Sequence, residues 1–237
     1  AELYKRQHKK CAWCARRRDF SSSPVEHYRP KNGAWRHRRG EPRQVSAGHY
    51  WWLTWEWTNL LFACPRCNDK GHKGNYFPLA PDTREADVPA APAAGASLDV
   101  GVDLGVEHPL LLDPSTDSFL DHVRWRPAQT NLPRKLWLWS PSPLTARGAR
   151  TIEVLRLDEL IDEVTTHLVD TVLQGVTDVE DHLAGDRRDA AHARWGAVLG
   201  WLAPHKDFTA ATWCALEEWM SPARCTSHGL PAAPRPR

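Results

Sequence analysis

Two Cys-x-x-Cys pairs, Cys11/Cys14 and Cys64/Cys67, constrain this chain more than any other feature of its sequence. Each pair offers two soft sulfur ligands within one tight turn. Two such pairs can close a tetrahedral thiolate site around zinc across a long intervening segment. The expectation is a structural Zn²⁺ held by all four, with the N-terminal region folded around it. Four unrelated buried thiols would have to produce this spacing twice by coincidence. The remaining cysteines, Cys214 and Cys225, stand alone, a usage that fits a reducing cytoplasmic setting better than a disulfide framework. The polar first residues carry no signal-peptide pattern, and no apolar run long enough to span a membrane is present.

Between the pairs lies Val25-Glu26-His27-Tyr28-Arg29-Pro30, with Asn59 just before the second pair and Asn68 directly after it. Hydrolysis of a phosphodiester needs an activated water, charge relief on the phosphate and help for the departing oxygen. A neutral imidazole can take the water's proton near physiological pH. A hard divalent cation on oxygen ligands can supply the rest. Glu26 and His27 face opposite ways on an extended segment. Asn68 can add an amide oxygen from the turn after the second pair. His72, four residues on, would share a helical face with it as a possible further ligand, although Gly71 and Gly74 suggest a bend that swings it away.

The net charge of +2 conceals an asymmetry. Residues 1–78 hold 16 Lys+Arg against 6 Asp+Glu, a balance of +10, and the rest hold 15 against 23, a balance of −8. Cations placed near phosphates drive nucleic-acid affinity through counterion release. Arg29, Lys31, Arg36, Arg38, Arg39, Lys70 and Lys73 are the candidate phosphate contacts, with Arg36, Arg38 and Arg39 expected along the substrate. Tyr50-Trp51-Trp52-Leu53-Thr54-Trp55-Glu56-Trp57 could stack bases, but core packing is the favoured role for these aromatics.

Further along, residues 81–143 are rich in Pro, Ala, Gly and Asp near their start and read as an irregular linker or extended segment. From residue 144 the pattern is helical. Leu160, Ile161, Val164, Leu168 and Val172 keep one apolar face, as do Trp195, Val198, Leu199 and Leu202. Thr209 is placed to cap a helix carrying Trp213, Leu216, Trp219 and Met220. Residues 221–237 read as a disordered tail. The expected organisation is a nuclease domain at 1–80, a linker at 81–143, a helical partner-binding region at 144–220 and that tail.

Cys-Ala-Trp-Cys at 11–14, Val-Glu-His-Tyr-Arg-Pro-Lys at 25–31, the aromatic run from Tyr50 to Leu61 and Cys-Pro-Arg-Cys-Asn at 64–68 together resemble an HNH endonuclease. More closely they are similar to the HNH proteins of bacterial antiphage systems, the PtuB family of Septu and the HNH partners of some retrons. The likeness is specific over residues 1–80 and loose over about half of the remainder. It implies an α+β fold, with a zinc-knuckle ββα-metal (HNH/His-Me finger) core followed by a mainly helical region. By the same resemblance His27 is the general base and Glu26 stands where such nucleases often carry a metal-binding Asp. Asn59 pins the loop joining two strands, and Asn68 binds the catalytic Mg²⁺ or Mn²⁺. Cleavage would leave 5′-phosphate and 3′-hydroxyl ends, with DNA the favoured substrate. A Septu-type ATPase is the implied partner, docked on the helical region. The alternative is a zinc-knuckle nucleic-acid-binding or structural subunit without catalysis.

Overall fold

The computed structural model describes residues 1–90 and 102–236; the part of the expected linker at 91–101 lies outside the described residues. The chain begins with α1 (Glu2–Arg6), β1 (Val25–His27), β2 (Ala34–Trp35), β3 (Val45–Ser46), β4 (Leu60–Phe62) and α2 (Pro65–Asn68). It continues through α3 (Phe119–His122), β5 (Val123–Ala128), β6 (Leu138–Pro143) and α4 (Ala146–Leu155). Helices α5 (Ile161–His167), α6 (Gln174–Ala184), α7 (Arg188–Leu199), α8 (Thr209–Trp219) and α9 (Pro222–Ser227) follow. The architecture is mixed α+β, with three small antiparallel sheets among the described residues.

Two compact units emerge, and they are drawn differently from the expected segments. The first joins residues 1–14 and 18–117 to the helix region 145–156. The second comprises residues 15–17, 118–144 and 157–237. Helix α4 starts where expected, with Thr145 Oγ1 accepting from Gly148 N at 3.0 Å, but it belongs to the first unit. Within that unit Thr151 Oγ1 accepts from Leu112 N at 3.0 Å, and Arg150 Nη2 donates to the His37 carbonyl at 3.0 Å. The described part of the supposed linker therefore packs. Leu110 N donates to Pro78 O, and Tyr28 Oη donates to the Leu111 carbonyl at 2.8 Å.

In the first unit, β1 and β4 pair antiparallel with His27 opposite Leu60, and α2 follows β4 after two residues. Tyr28, Tyr50 and Phe77 form its aromatic core, meeting edge to face. Gly74 adopts φ +41°, and a Cβ there would meet the Lys70 Cα at 3.0 Å, so the turn after α2 requires glycine.

The second unit is built on a hairpin that the sequence reading passed over. β5 and β6 pair from Val123↔Pro143 to Ala128↔Leu138. Three prolines, at 127, 141 and 143, disguise the strands, yet each strand of a two-stranded ribbon has a free edge where a missing N–H is tolerated. Trp139 is buried against Trp219, ring centroids 5.6 Å apart, and its main-chain N–H donates to Thr165 Oγ1 at 2.9 Å. The expected apolar stripe is realised: Val164, Leu168 and Val172 are buried, and residues Leu168–Leu173 widen into a π-helical stretch between α5 and α6. Gly175 lets α6 approach α7 closely, since a Cβ there would meet Val198 Cγ2 at 2.6 Å.

Two expectations are corrected here. Thr209 does not cap α8; it is the first helical residue, and Phe208 at φ +50° is the N-cap. Residues 221–236 are not a loose tail. α9 buries Cys225, Leu230 is buried, and the indole N–H groups of Trp195 and Trp213 donate to the carbonyls of Pro231 and Ala233.

Thr151→Val should isolate the buried Leu112 N–H while preserving side-chain shape. A loss of about 1–3 kcal/mol in unfolding free energy is expected, measurable by urea denaturation.

Candidate metal centre and imidazole site

The four cysteines of the two pairs converge. Their sulfur atoms all lie within 4.8 Å of one another, and all four residues are buried. A tetrahedral zinc thiolate with Zn–S near 2.3 Å would space its sulfurs at about 3.8 Å; Cys14 Sγ and Cys64 Sγ are 3.9 Å apart. The cluster could hold a metal ion such as zinc. Local structure builds it: Cys64 caps α2, its sulfur accepting from Cys67 N at 3.5 Å, while Ala12 N donates to the Phe62 carbonyl at 3.0 Å. Burial pushes the Cys11 thiol up, whereas hydrogen bonds from Cys11, Cys14 and Cys67 pull Cys64 down. Arg66 Nη1 lies 3.9 Å from Cys67 Sγ, so a guanidinium stands beside the negative charge that four metal-bound thiolates would gather.

On β1 the side chains alternate. Val25 is exposed, Glu26 is buried and His27 is half-buried on the face it shares with Val25. His27 Nε2 lies 3.0 Å from the Thr54 carbonyl. A carbonyl oxygen can only accept, so in the neutral ring Nε2 carries the proton and Nδ1 keeps its lone pair. Burial, only partly offset by that backbone hydrogen bond, pulls the imidazole pKa below its ordinary value near 6.5. In its neutral form the ring therefore presents one basic nitrogen, Nδ1.

Asn59 is buried and holds the returning loop. Its Oδ1 accepts from Arg29 N at 2.7 Å, and its Nδ2 donates to the carbonyls of Arg29 at 3.0 Å and Leu53 at 3.1 Å. The same loop delivers Thr54 to His27. Asn68 ends α2, half-exposed, with its N–H on the Cys64 carbonyl at 3.1 Å. His72 lies beyond α2 in the bend that Gly71 and Gly74 suggested, its N–H on the Asp69 carbonyl and its carbonyl accepting from Arg39.

Several expected substrate contacts are turned inward instead. Lys73 is fully buried with its ammonium 2.6 Å from Glu26 Oε1, so it offers nothing to a phosphate at the surface. Glu26, correspondingly, is not an open carboxylate awaiting a cation. Arg29 donates to Glu107 at 3.2 Å and lies over the Phe77 ring at 5.2 Å. Arg36 donates to Ser46, Glu85, Tyr50 Oη and the Phe77 carbonyl. Arg39 donates to the Val154 carbonyl at 2.9 Å and stacks on Tyr76 at 4.4 Å. Arg29 and Arg36 are paired with buried or half-buried carboxylates, and Arg39 is held by main-chain carbonyls and an aromatic ring. Lys31, Arg38 and Lys70 are exposed, and Arg38 has Glu153 3.8 Å away.

The tryptophan run divides. Trp52 is buried as favoured, but Trp55 is 79% exposed and Trp57 is exposed beneath the Arg6 guanidinium, 5.6 Å from its ring centroid. Glu107 escaped the sequence reading altogether. Its buried carboxylate gathers Tyr50 Oη at 2.6 Å, Ala86 N at 3.1 Å and Arg29 Nε at 3.2 Å. A glutamate just beyond a Pro/Ala/Gly/Asp-rich stretch carries no local signal that would have found it.

The chain is 33% identical over 118 residues to the Septu protein PtuB of Bacillus mycoides (strain KBAB4), a match covering 49% of this chain and 35% of that protein. It thus spans about a third of the length of the curated relative it matches. No family model matches the chain, and no solved structure matches it.

Elemental analysis should find one zinc per chain, and Cys64→Ser should lose it. Because the sulfurs link segments far apart in sequence, chelation should unfold the first unit cooperatively, seen as loss of near-ultraviolet circular dichroism.

Proposed function

We propose that this chain is a metal-dependent endonuclease of the HNH type, acting on nucleic acid, with DNA favoured, within an antiphage defence complex. The observation that carries the reading is the His27 hydrogen bond to Thr54, which leaves Nδ1 free on a strand paired with the one that runs into the second cysteine pair. The strand, strand, helix order of β1, β4 and α2 agrees with a ββα-metal core, and the similarity to a Septu protein supports the defence role.

In this mechanism His27 Nδ1 accepts a proton from water as its oxygen attacks phosphorus. The bond from phosphorus to the 3′ oxygen breaks, giving 5′-phosphate and 3′-hydroxyl ends. A bound divalent cation would stabilise charge on the phosphate and the departing oxygen. Asn68 is the residue this chain offers it, and Glu26 does not fit as a ligand because an ammonium already occupies its carboxylate. Lys31, Arg38 and Lys70 present their charges to solvent for phosphate contacts. Trp55, next to the carbonyl that orients His27, offers an open ring face for a nucleobase. The second unit serves a partner protein, by resemblance a Septu-type ATPase. Leu132, Leu136 and Leu138, exposed at the turn end of the β5–β6 hairpin, form the apolar surface that supports this.

The engagement of Glu26 by Lys73 favours one rival, a zinc-knuckle binding or structural subunit without catalysis. Metal-dependent nicking of plasmid by the purified chain, with and without co-purified partners, separates the two.

His27→Ala should abolish cleavage while zinc content and nucleic-acid binding persist. The base must be neutral, and its pKa is lowered, so the acid limb of the cleavage profile should lie below pH ~6.5 with a plateau above it. Full activity in that variant would end the nuclease reading.

Substituting Lys31, Arg38 and Lys70 together with Gln should flatten the plot of log affinity against log salt by roughly 2 to 3 in slope. Arg36→Gln should instead lower the melting temperature and leave that slope unchanged.

A further inference from the structure

We infer that Lys73 and Glu26 form a positioning device for His27, and that Glu26 is not a ligand of the catalytic cation. The inference rests on the nuclease reading and departs from what the resemblance assigns to Glu26. Three observations carry it. Glu26 is 5% exposed and Lys73 is 0% exposed, so the pair is sealed from solvent. The ammonium stands 2.6 Å from the carboxylate and would repel a divalent cation placed on the same group. Strand alternation points Glu26 to the face of β1 opposite His27, so a cation there would lie across the strand from the imidazole.

What the pair does instead follows from its other bonds. Lys73 Nζ also donates to the carbonyl of His27 itself. The Lys73 backbone is tied to the cysteine cluster, its N–H donating to the Cys67 carbonyl at 3.1 Å. A short path therefore runs from a metal-ligating thiol residue, through Lys73, to the backbone of the base. Glu26 balances the buried ammonium that makes this path. The imidazole is thus held at both ends, by Thr54 at its ring and by Lys73 at its main chain.

The test uses the full chain with Mn²⁺ as probe. Glu26→Leu/Lys73→Met replaces the ion pair by apolar groups of similar size, a change that buried pairs often tolerate. Each single substitution leaves a buried charge alone and should lower the melting temperature by roughly 10 °C. In the double variant Mn²⁺ affinity, read by electron paramagnetic resonance, should stay within about twofold of the parent, whereas kcat should fall roughly 10-fold with misplacement of the base. The Mg²⁺ concentration for half-maximal rate should not move. A loss of Mn²⁺ affinity of roughly 10-fold or more would make Glu26 a ligand and overturn the inference; unchanged kcat would overturn the positioning role. Should the double variant fail to fold, acetylation of the parent chain decides. Lys73 should stay unmodified with and without Mn²⁺ while Lys31 and Lys70 react, and exposure of Lys73 on Mn²⁺ addition would overturn the inference. A parent chain that cleaves nothing defeats the nuclease reading alone, whereas Glu26-dependent Mn²⁺ binding in a chain that cleaves defeats this one.

Discussion

Strands β1 and β4 are three residues long, and a ribbon of that size cannot hold itself together in water. The four cysteines bring the loop after α1 beside the start of α2, and a metal ion held there would tie down the chain at one end of the ribbon. At the other end Asn59 draws the backbone of Arg29 and Leu53 together and closes the long excursion between the strands. Lys73 reaches in from the turn beyond α2. Each anchor comes from a different stretch of chain, and His27 sits where their constraints meet.

The cationic excess of the first 78 residues serves the interior as well as the surface. Arg29, Arg36 and Arg39 lay planar guanidiniums against Phe77, Tyr50 and Tyr76 and bond backbone or carboxylate oxygens with their edges. Arginine suits this work because its charge is delocalised and its donors are fixed in a fork. Formal charge along the sequence therefore overstates the field presented to a polyanion. Lysines and arginines on open loops set that field, and they are fewer than the composition implies.

The cysteine cluster was legible because metal-ligand spacing is a local pattern, and its four members needed no knowledge of the fold. The helical stripes of the second unit were legible for a similar reason, as period is written along the chain. Asn59 was legible as a loop pin through resemblance. The hairpin at 123–143 was hidden by prolines that its edge positions tolerate, and the buried Glu107 had no pattern at all. The fate of Lys73 was hidden by composition. A lysine between two glycines reads as solvated, and only the inward face of β1, which places Glu26 opposite it, turns it into a core residue. Docking of residues 230–233 against Trp195 and Trp213 was equally invisible, because it depends on backbone carbonyls meeting indoles distant in sequence.

The acceptor that fixes the His27 tautomer is a main-chain oxygen. Residue 54 contributes that atom whatever its side chain, and the Thr54 hydroxyl is turned elsewhere, donating to the Trp51 carbonyl at 2.6 Å. Among relatives, position 54 is thus free to drift in identity as far as this bond is concerned, while the path of the loop through it is not. A description of the imidazole's surroundings by amino-acid letters alone would pass over this contact.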